Sequence, residues 1–161
     1  MRRWPSLWVS VAVVVVALDQ LTKLLADHFL HYLQPVALLP VLNLTLSYNP
    51  GAAFSLLGDA GGWQRWLFTG IALAVSVGLI IWLRRLPPWE RWQTWGLSLI
   101  LGGAIGNVID RIAYGHVIDF IHVHWRDWHY PIFNVADSAI TIGVVLILIH
   151  AFFLDGRQQG H

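Results

Sequence analysis

Four long apolar stretches alternate with short polar connections along the chain. They cover about residues 5–26, 63–83, 92–112 and 136–154. A bilayer core about 30 Å thick takes about 20 apolar residues in a helix, so each stretch is long enough to cross it. Lipid offers no partners for exposed backbone groups, and each stretch is therefore expected to be a complete helix. The pattern predicts a mainly α, polytopic membrane protein with four transmembrane helices in a single domain, residues 1–161.

Two of the connections carry a strand pattern instead. Residues 42–49 alternate apolar and polar side chains, which is typical of a half-buried strand. The turn sequence Asn49-Pro50-Gly51 follows directly. Residues 117–125 are rich in β-branched and aromatic side chains and also favour a strand. Both connections leave the same end of the bundle, so we expect a small β-sheet there.

The composition narrows the class of protein. Hydrophobic residues make up 57% of the chain and charged residues 12%, with a mean hydropathy of +0.59. This excludes a disordered chain. A formal net charge of +1 without a basic run argues against nucleic-acid binding. The absence of cysteine excludes disulfides, thiol nucleophiles and thiolate metal sites.

The basic residues predict the orientation in the membrane. Under the positive-inside rule, the side richer in Lys and Arg faces the cytoplasm. The first apolar stretch is not followed by the A-x-A-like cleavage site of a secretory signal peptide, so we expect it to remain uncleaved. Both termini are then cytoplasmic and the sheet is extracytoplasmic. The residues that decide this are Arg2, Arg3, Arg84, Arg85, Arg91 and Arg157.

Several charged or polar side chains interrupt the apolar stretches. Asp19 and Lys23 are four residues apart on one helix face, and a structural ion pair that fixes the helix end is the favoured interpretation. Asn107, Asp110 and Arg111 share one side of the third stretch and resemble a polar brace. Charges in spanning helices are functional candidates by default, so architecture and function both stay open for these groups.

Two acids flank the same outer boundary. Asp137 follows Asn134 by three residues, an N-cap pattern in which the acid favours the helix dipole. Asp119 lies in the apolar stretch Val-Ile-Asp-Phe-Ile and needs a partner. If the two carboxylates meet, they share one proton, as in aspartic peptidases. We therefore hypothesise that Asp119 and Asp137 form a catalytic pair.

Five motifs occur in order along the chain. They are DQLTK at 19–23, NPGAAF at 49–54, GAIGNVIDR at 103–111, VIDF at 117–120 and FNVAD at 133–137. Together they resemble the lipoprotein signal peptidases, the type II signal peptidases of bacterial membranes. The resemblance covers nearly the whole chain.

The resemblance implies an intramembrane aspartic endopeptidase without cofactor or metal. It would remove the signal peptide from diacylglyceryl-modified prolipoproteins by cutting just before the lipidated Cys. It also implies a multi-pass protein of the inner membrane that contacts lipid and binds globomycin-type cyclic peptides, and we expect a monomer. The implied catalytic residues are Asp119 and Asp137, and the implied supporting residues are Asp19, Lys23, Asn49, Asn107, Asp110, Arg111 and Asn134.

Finer roles follow as expectations. The substrate's signal helix is expected to pack on the small-residue face at Gly102 and Gly106. Asn107 and Asn134 are expected to position substrate amides, and Arg111 to hold Asp110. The chain departs from the family pattern at His116, often Tyr, and at His122, often an acid. These departures leave the charge around the pair open.

Three alternatives compete with this interpretation. A Ser–Lys peptidase would use Lys23 with Ser47, Ser55 or Ser138, none of which lies in a recognisable motif. A small transporter would need polar groups near the midplane of the membrane. A metalloenzyme would use the crowded second connection, although its spacing matches no metal motif. The candidate ligands are His116, Asp119, His122, His124 and His129.

Overall fold

The computed structural model describes residues 5–51 and 61–154. Its helices are α1 (Pro5–Phe29), α2 (Trp63–Arg85), α3 (Arg91–Ala113) and α4 (Val135–Ile149), and α4 ends in a π-helical turn, His150–Leu154. All four helices are long and apolar enough to cross a membrane. The predicted multi-pass helical architecture is confirmed. Expectations for the motif residues 52–54, for Ser55 and for Arg2, Arg3 and Arg157 lie outside the described residues.

Helix α3 packs against each of the other three helices. Glycines permit the close approach: a Cβ added at Gly102 would lie 2.7 Å from the Cβ of Val15 on α1. Gly96 meets Gly143 of α4 in the same way. Since α1 already covers the face at Gly102 and Gly106, the expectation that the substrate's signal helix packs there is wrong.

The sheet has four antiparallel strands in the order β1-β2-β3-β4. Strands β2 (Leu42–Asn49) and β3 (Val117–Trp125) were predicted from the sequence. Strands β1 (Val36–Leu39) and β4 (Trp128–His129) were missed, because four and two residues are too few to show a period of two. The added strands extend the sheet on both sides of the predicted pair.

The connectivity gathers the sheet and the start of α4 at one end of the bundle. Strands β1 and β2 lie between α1 and α2, and β3 and β4 lie between α3 and α4. The backbone N–H groups of Phe120 and Ile121 both donate to the carbonyl of Phe133, at 3.0 and 2.8 Å. This contact holds the segment before α4 against β3. It brings the part of β3 that carries Asp119 beside the first turn of α4, which carries Asp137.

Candidate active site

Asp119 is buried in β3, and two amide side chains donate to its carboxylate. Asn134 Nδ2 lies 2.7 Å from Asp119 Oδ1, and Asn49 Nδ2 lies 3.3 Å from Asp119 Oδ2. Burial raises the pKa of Asp119 to about 7, and the nearby charge of Asp137 adds to the shift. The carboxyl group therefore holds a proton far more readily than an exposed aspartate does.

Asp137 occupies the first turn of α4 in a capping box. Asn134 Oδ1 accepts from the backbone N–H of Asp137 at 2.9 Å, and Asp137 Oδ2 accepts from the backbone N–H of Asn134 at 3.3 Å. The predicted N-cap is confirmed. The other oxygen, Oδ1, accepts from Asn107 Nδ2 at 2.9 Å. Asp137 therefore caps the helix through one carboxylate oxygen and bonds to the side chain of Asn107 through the other.

Both aspartates line one cavity of about 310 Å³. Asn49, Asn107 and Arg111 contribute polar groups to its wall. A neighbouring groove of about 410 Å³ shares Asp137 and is otherwise mostly apolar. The two hollows have four lining residues in common: Tyr130, Phe133, Asp137 and Thr141. The carboxylates therefore lie where a polar cavity opens onto an apolar surface.

Asn107 connects Asp137 to a buried lysine. Lys23 Nζ donates to Asn107 Oδ1 at 2.9 Å, and the same oxygen accepts from Asn134 Nδ2 at 3.2 Å. With its oxygen engaged by these two donors, Asn107 must turn its NH₂ group toward Asp137. The amide orientation follows from this hydrogen-bond pattern.

Lys23 also forms ion pairs with Asp19 and Asp110, each at 2.8 Å and nearly inaccessible to solvent. The expected Asp19–Lys23 pair is confirmed, but it belongs to a larger group, the lysine cluster, formed by Asp19, Lys23 and Asp110. Asp19 Oδ1 accepts from the backbone N–H of Ala136 at 2.9 Å, and Asp110 Oδ2 accepts from that of Ile118 at 3.1 Å. Each acid therefore holds the residue that directly precedes one of the two cavity-lining aspartates.

Gln20 belongs to this cluster and was missed as a site residue. Its Nε2 donates to Asp110 Oδ1 at 2.8 Å and to the carbonyl of Gly106 at 3.1 Å. The available signal was an amide placed directly beside Asp19, at the end of the long apolar run of α1. Its hydrogen bonds join α1 to α3 at the level of the lysine.

The expected role of Arg111 is wrong. Its Nη2 donates to the carbonyl of Gly51 at 3.0 Å, and its Nη1 reaches the carbonyl of Asn107 at 3.4 Å. Asp110 is paired with Lys23 instead. Adjacent residues on a helix point in different directions, so Asp110 faces α1 while Arg111 faces the turn after β2. Arg111 ties that turn to the end of α3.

The alternatives find little support in this geometry. Lys23 is surrounded by two carboxylates and an amide oxygen, which is unsuitable for a general base acting on serine. Ser138 Oγ donates to the carbonyl of Asn134 at 3.1 Å. Within residues 5–51 and 61–154, no three histidine or acidic side chains are arranged to hold a metal ion.

The fold defines a class of multi-pass membrane enzymes. Two solved structures described as bacterial membrane enzymes superpose with TM-scores of 0.80 and 0.79, each at 34% sequence identity. The first covers 89% of this chain and 86% of its own, and the second covers 92% and 93%. Similarity at this level extends over nearly all of both molecules.

The family model described as signal peptidase (SPase) II matches residues 11–153. A lipoprotein signal peptidase of Acinetobacter baylyi is 51% identical over 152 residues, which cover 94% of this chain and 85% of that protein. One of Coxiella burnetii is 54% identical over 149 residues, covering 92% and 90%. The chain belongs to the signal peptidase II family, and the resemblance and protease activity predicted from its motifs are confirmed.

Proposed function

We propose that the protein is an aspartic endopeptidase that removes the signal peptide from diacylglyceryl-modified prolipoproteins by cutting just before the lipidated Cys. The observation that carries the mechanism is that Asp119 and Asp137 line one cavity and, within residues 5–51 and 61–154, accept hydrogen bonds from neutral donors and form no ion pair. We assign residues 1–161 to one domain that works as a monomer and without a cofactor.

The environments of the two carboxyls assign their roles. Asp137 lies at a helix N-terminus, and both of its carboxylate oxygens accept hydrogen bonds, one from Asn107 Nδ2 and one from the backbone N–H of Asn134. Asp119 is buried, and its raised pKa favours the proton there. The pair shares one proton and titrates as a unit. Asp137 acts as general base and Asp119 as general acid.

The reaction proceeds in two balanced steps. Asp137 takes a proton from water while the water oxygen bonds to the scissile carbonyl carbon, and Asp119 gives its proton to the carbonyl oxygen. The resulting gem-diol collapses as Asp137 returns its proton to the leaving nitrogen and Asp119 recovers one from a hydroxyl. The C–N bond breaks, leaving a carboxyl on the signal peptide and an amino group on the lipidated Cys.

The supporting residues act on the aspartates and their backbone. Asn107 and Asn134 already donate to Asp137 and Asp119, so we assign them to the carboxylates instead of to substrate amides. Asn49 adds a second donor to Asp119. The backbone before each aspartate is held by the cluster described above, Asp19, Lys23 and Asp110, while Arg111 holds the turn at the cavity rim.

The substrate enters from the lipid, and the apolar groove beside Asp137 gives its acyl chains or signal helix access to the cavity. We propose a multi-pass protein of the inner membrane with the sheet outside and both termini in the cytoplasm. The excess of Lys and Arg on the side of the termini supports this orientation. Globomycin-type cyclic peptides are proposed to occupy the same cavity and to compete with the substrate.

The test compares the wild type with Asp119→Asn and Asp137→Asn, purified in detergent and given lipidated or unlipidated prolipoprotein. Each change removes the proton cycle at nearly constant size, so cleavage of the lipidated substrate falls by about 1000-fold. Asp27→Asn is the matched control, because Asp27 bonds Tyr48 Oη at 2.7 Å and does not line the cavity.

Two outcomes would contradict the proposal. Near-normal cleavage by either folded variant would rule out the aspartic mechanism. Equal cleavage of the unlipidated prolipoprotein by the wild type would rule out the proposed substrate class. Thorough chelation is expected to leave wild-type cleavage unchanged.

A further inference from the structure

Three histidines cluster on the β3–β4 hairpin, apart from the lysine cluster and the aspartates. His122 and His124 share one face of β3, opposite to the face of Asp119, because side chains alternate along a strand. His129 of β4 pairs with His124 in the sheet register. The ring centroids are 5.1 Å apart for His122 and His129, 5.8 Å for His122 and His124, and 5.6 Å for His124 and His129.

A hydrogen bond between two of these rings joins the strands. His122 Nε2 lies 3.0 Å from His129 Nδ1, and Thr45 Oγ1 lies 3.1 Å from His122 Nδ1. One ring must donate and the other accept. A first added proton can keep this bond, but a second places two N–H groups face to face and two positive charges in contact.

In the described part of the chain, no acid forms an ion pair with these three rings. Strand β2 presents two neutral residues to His122: Thr45, which lies within hydrogen-bond distance of its ring, and Asn43, which pairs with His122 in the sheet register. The hairpin turn carries Arg126 and Asp127, one charge of each sign. The charges that α1 and α3 bring to β3 lie at its Ile118 end. Burial and the two neighbouring histidines lower the pKa of His122, as expected for like charges.

The hairpin continues directly into the cavity wall. Strand β4 contains only two residues, and the next backbone bond runs from Tyr130 N–H to the carbonyl of Val123 at 2.9 Å. Residues 130–133 then line the cavity that contains both aspartates. A change in the pairing of β4 therefore reaches the start of that wall at Tyr130, while the hydrogen bonds between Phe133 and β3 hold its other end.

We propose that His122, His124 and His129 form an acid-sensitive latch: the neutral rings hold β4 on β3, and protonation of two or more releases the hairpin and loosens the wall at residues 130–133. The opening itself is independent of catalysis. Its consequence, slower cleavage in acid, rests on the proposed function.

The test measures the hairpin directly. The chain has no cysteine, so Gln34→Cys and Asp127→Cys give two spin labels without background. Distances between them are measured by pulsed EPR in detergent at about pH 7.5 and about pH 5, on either side of the ordinary histidine pKa. The latch predicts a shift to longer and broader distances in acid.

Three variants in this labelled background locate the effect. Replacing all three histidines by Gln removes the titration, and the acid shift is expected to disappear. The single change His129→Gln, on the exposed edge strand, gives the same loss if the triple variant does not fold. His28→Gln with His31→Gln, both exposed and outside the cluster, keeps the wild-type shift.

An unchanged distance distribution in acid, or an acid shift that survives His129→Gln, would overturn the latch. Either result leaves the Asp→Asn cleavage test untouched. Conversely, a normal latch with active Asp→Asn variants would overturn the proposed function alone.

Discussion

Two pairs of aspartates lie at the same end of the bundle, but their carboxylates have different partners. Asp19 and Asp110 share Lys23, with both N–O distances at 2.8 Å. Asp119 and Asp137 receive donors from Asn49, Asn107, Asn134 and backbone, and within residues 5–51 and 61–154 neither forms an ion pair. The first pair is sealed, while the second lines a cavity.

The contrast separates architecture from chemistry. A carboxylate held by a buried cation serves as a fixed acceptor, which is how the first pair holds two backbone N–H groups. Carboxyls with only neutral donors stay free to exchange a proton. Charge in a membrane helix is therefore informative about function only when its partner is known.

Among changes at the buried pair Asp19 and Asp110, Lys23→Met is expected to lower stability the most. The change leaves two buried carboxylates without their cation, so the free energy of unfolding falls by about 3–5 kcal/mol. Thermal unfolding in detergent measures the loss. Adding Asp19→Asn and Asp110→Asn removes the uncompensated charges and recovers much of it. An unfolding temperature unchanged by Lys23→Met would show that the lysine is not structural.

In the pair that lines the cavity, the contribution of Asp119 to the free energy of unfolding depends on pH. Folded Asp119 keeps its proton up to about pH 7, against 3.8 for the ordinary carboxyl, so the unfolded state binds fewer protons between these values. The stability that the proton confers is complete below 3.8 and is lost as the pH rises toward 7. The full loss is about 4 kcal/mol, at about 1.4 kcal/mol per pH unit.

Asp119→Asn removes this loss, since an amide does not titrate. The variant is expected to gain unfolding temperature over the wild type as the pH rises from about 4 to about 8. Unfolding curves of both proteins across this range give the measurement. A constant difference would mean that the Asp119 carboxyl titrates normally in the folded protein.

Helix packing offers a smaller perturbation aimed at α4. A Cβ at Gly103 would meet the carbonyl of Ala136 and would lie 2.7 Å from Ile140 Cγ1, whereas a Cβ at Gly78 would meet nothing within 4 Å. Gly103→Ala therefore costs about 1–3 kcal/mol of stability and displaces the first turn of α4, which carries Asp137. Unfolding and cleavage are measured together. Gly78→Ala is the matched control, and equal behaviour of the two variants would contradict this packing.

The sequence predicts the helices and the candidate site residues better than it predicts which side chains contact one another. The apolar stretches and the alternation at 42–49 have enough residues to show a period, so α1–α4, β2 and β3 are predicted. Spacing on one helix says which side chains share a face, but not which neighbouring helix arrives there. Asp110 meets Lys23 and not Arg111, because α1 approaches α3 closely at Gly102 and Gly106.

Asn107 is the one described side chain that bonds both to Lys23 and to Asp137, so it tests how far the two pairs are coupled. Asn107→Ala keeps the Lys23 ion pairs but removes a donor from Asp137. Cleavage is expected to fall about 10- to 150-fold, the effect of losing one hydrogen bond to a charged group, while the protein stays folded. Loss of folded protein would instead identify Asn107 as a packing residue, and an unchanged cleavage rate would show that the lysine cluster supports only the backbone of the site.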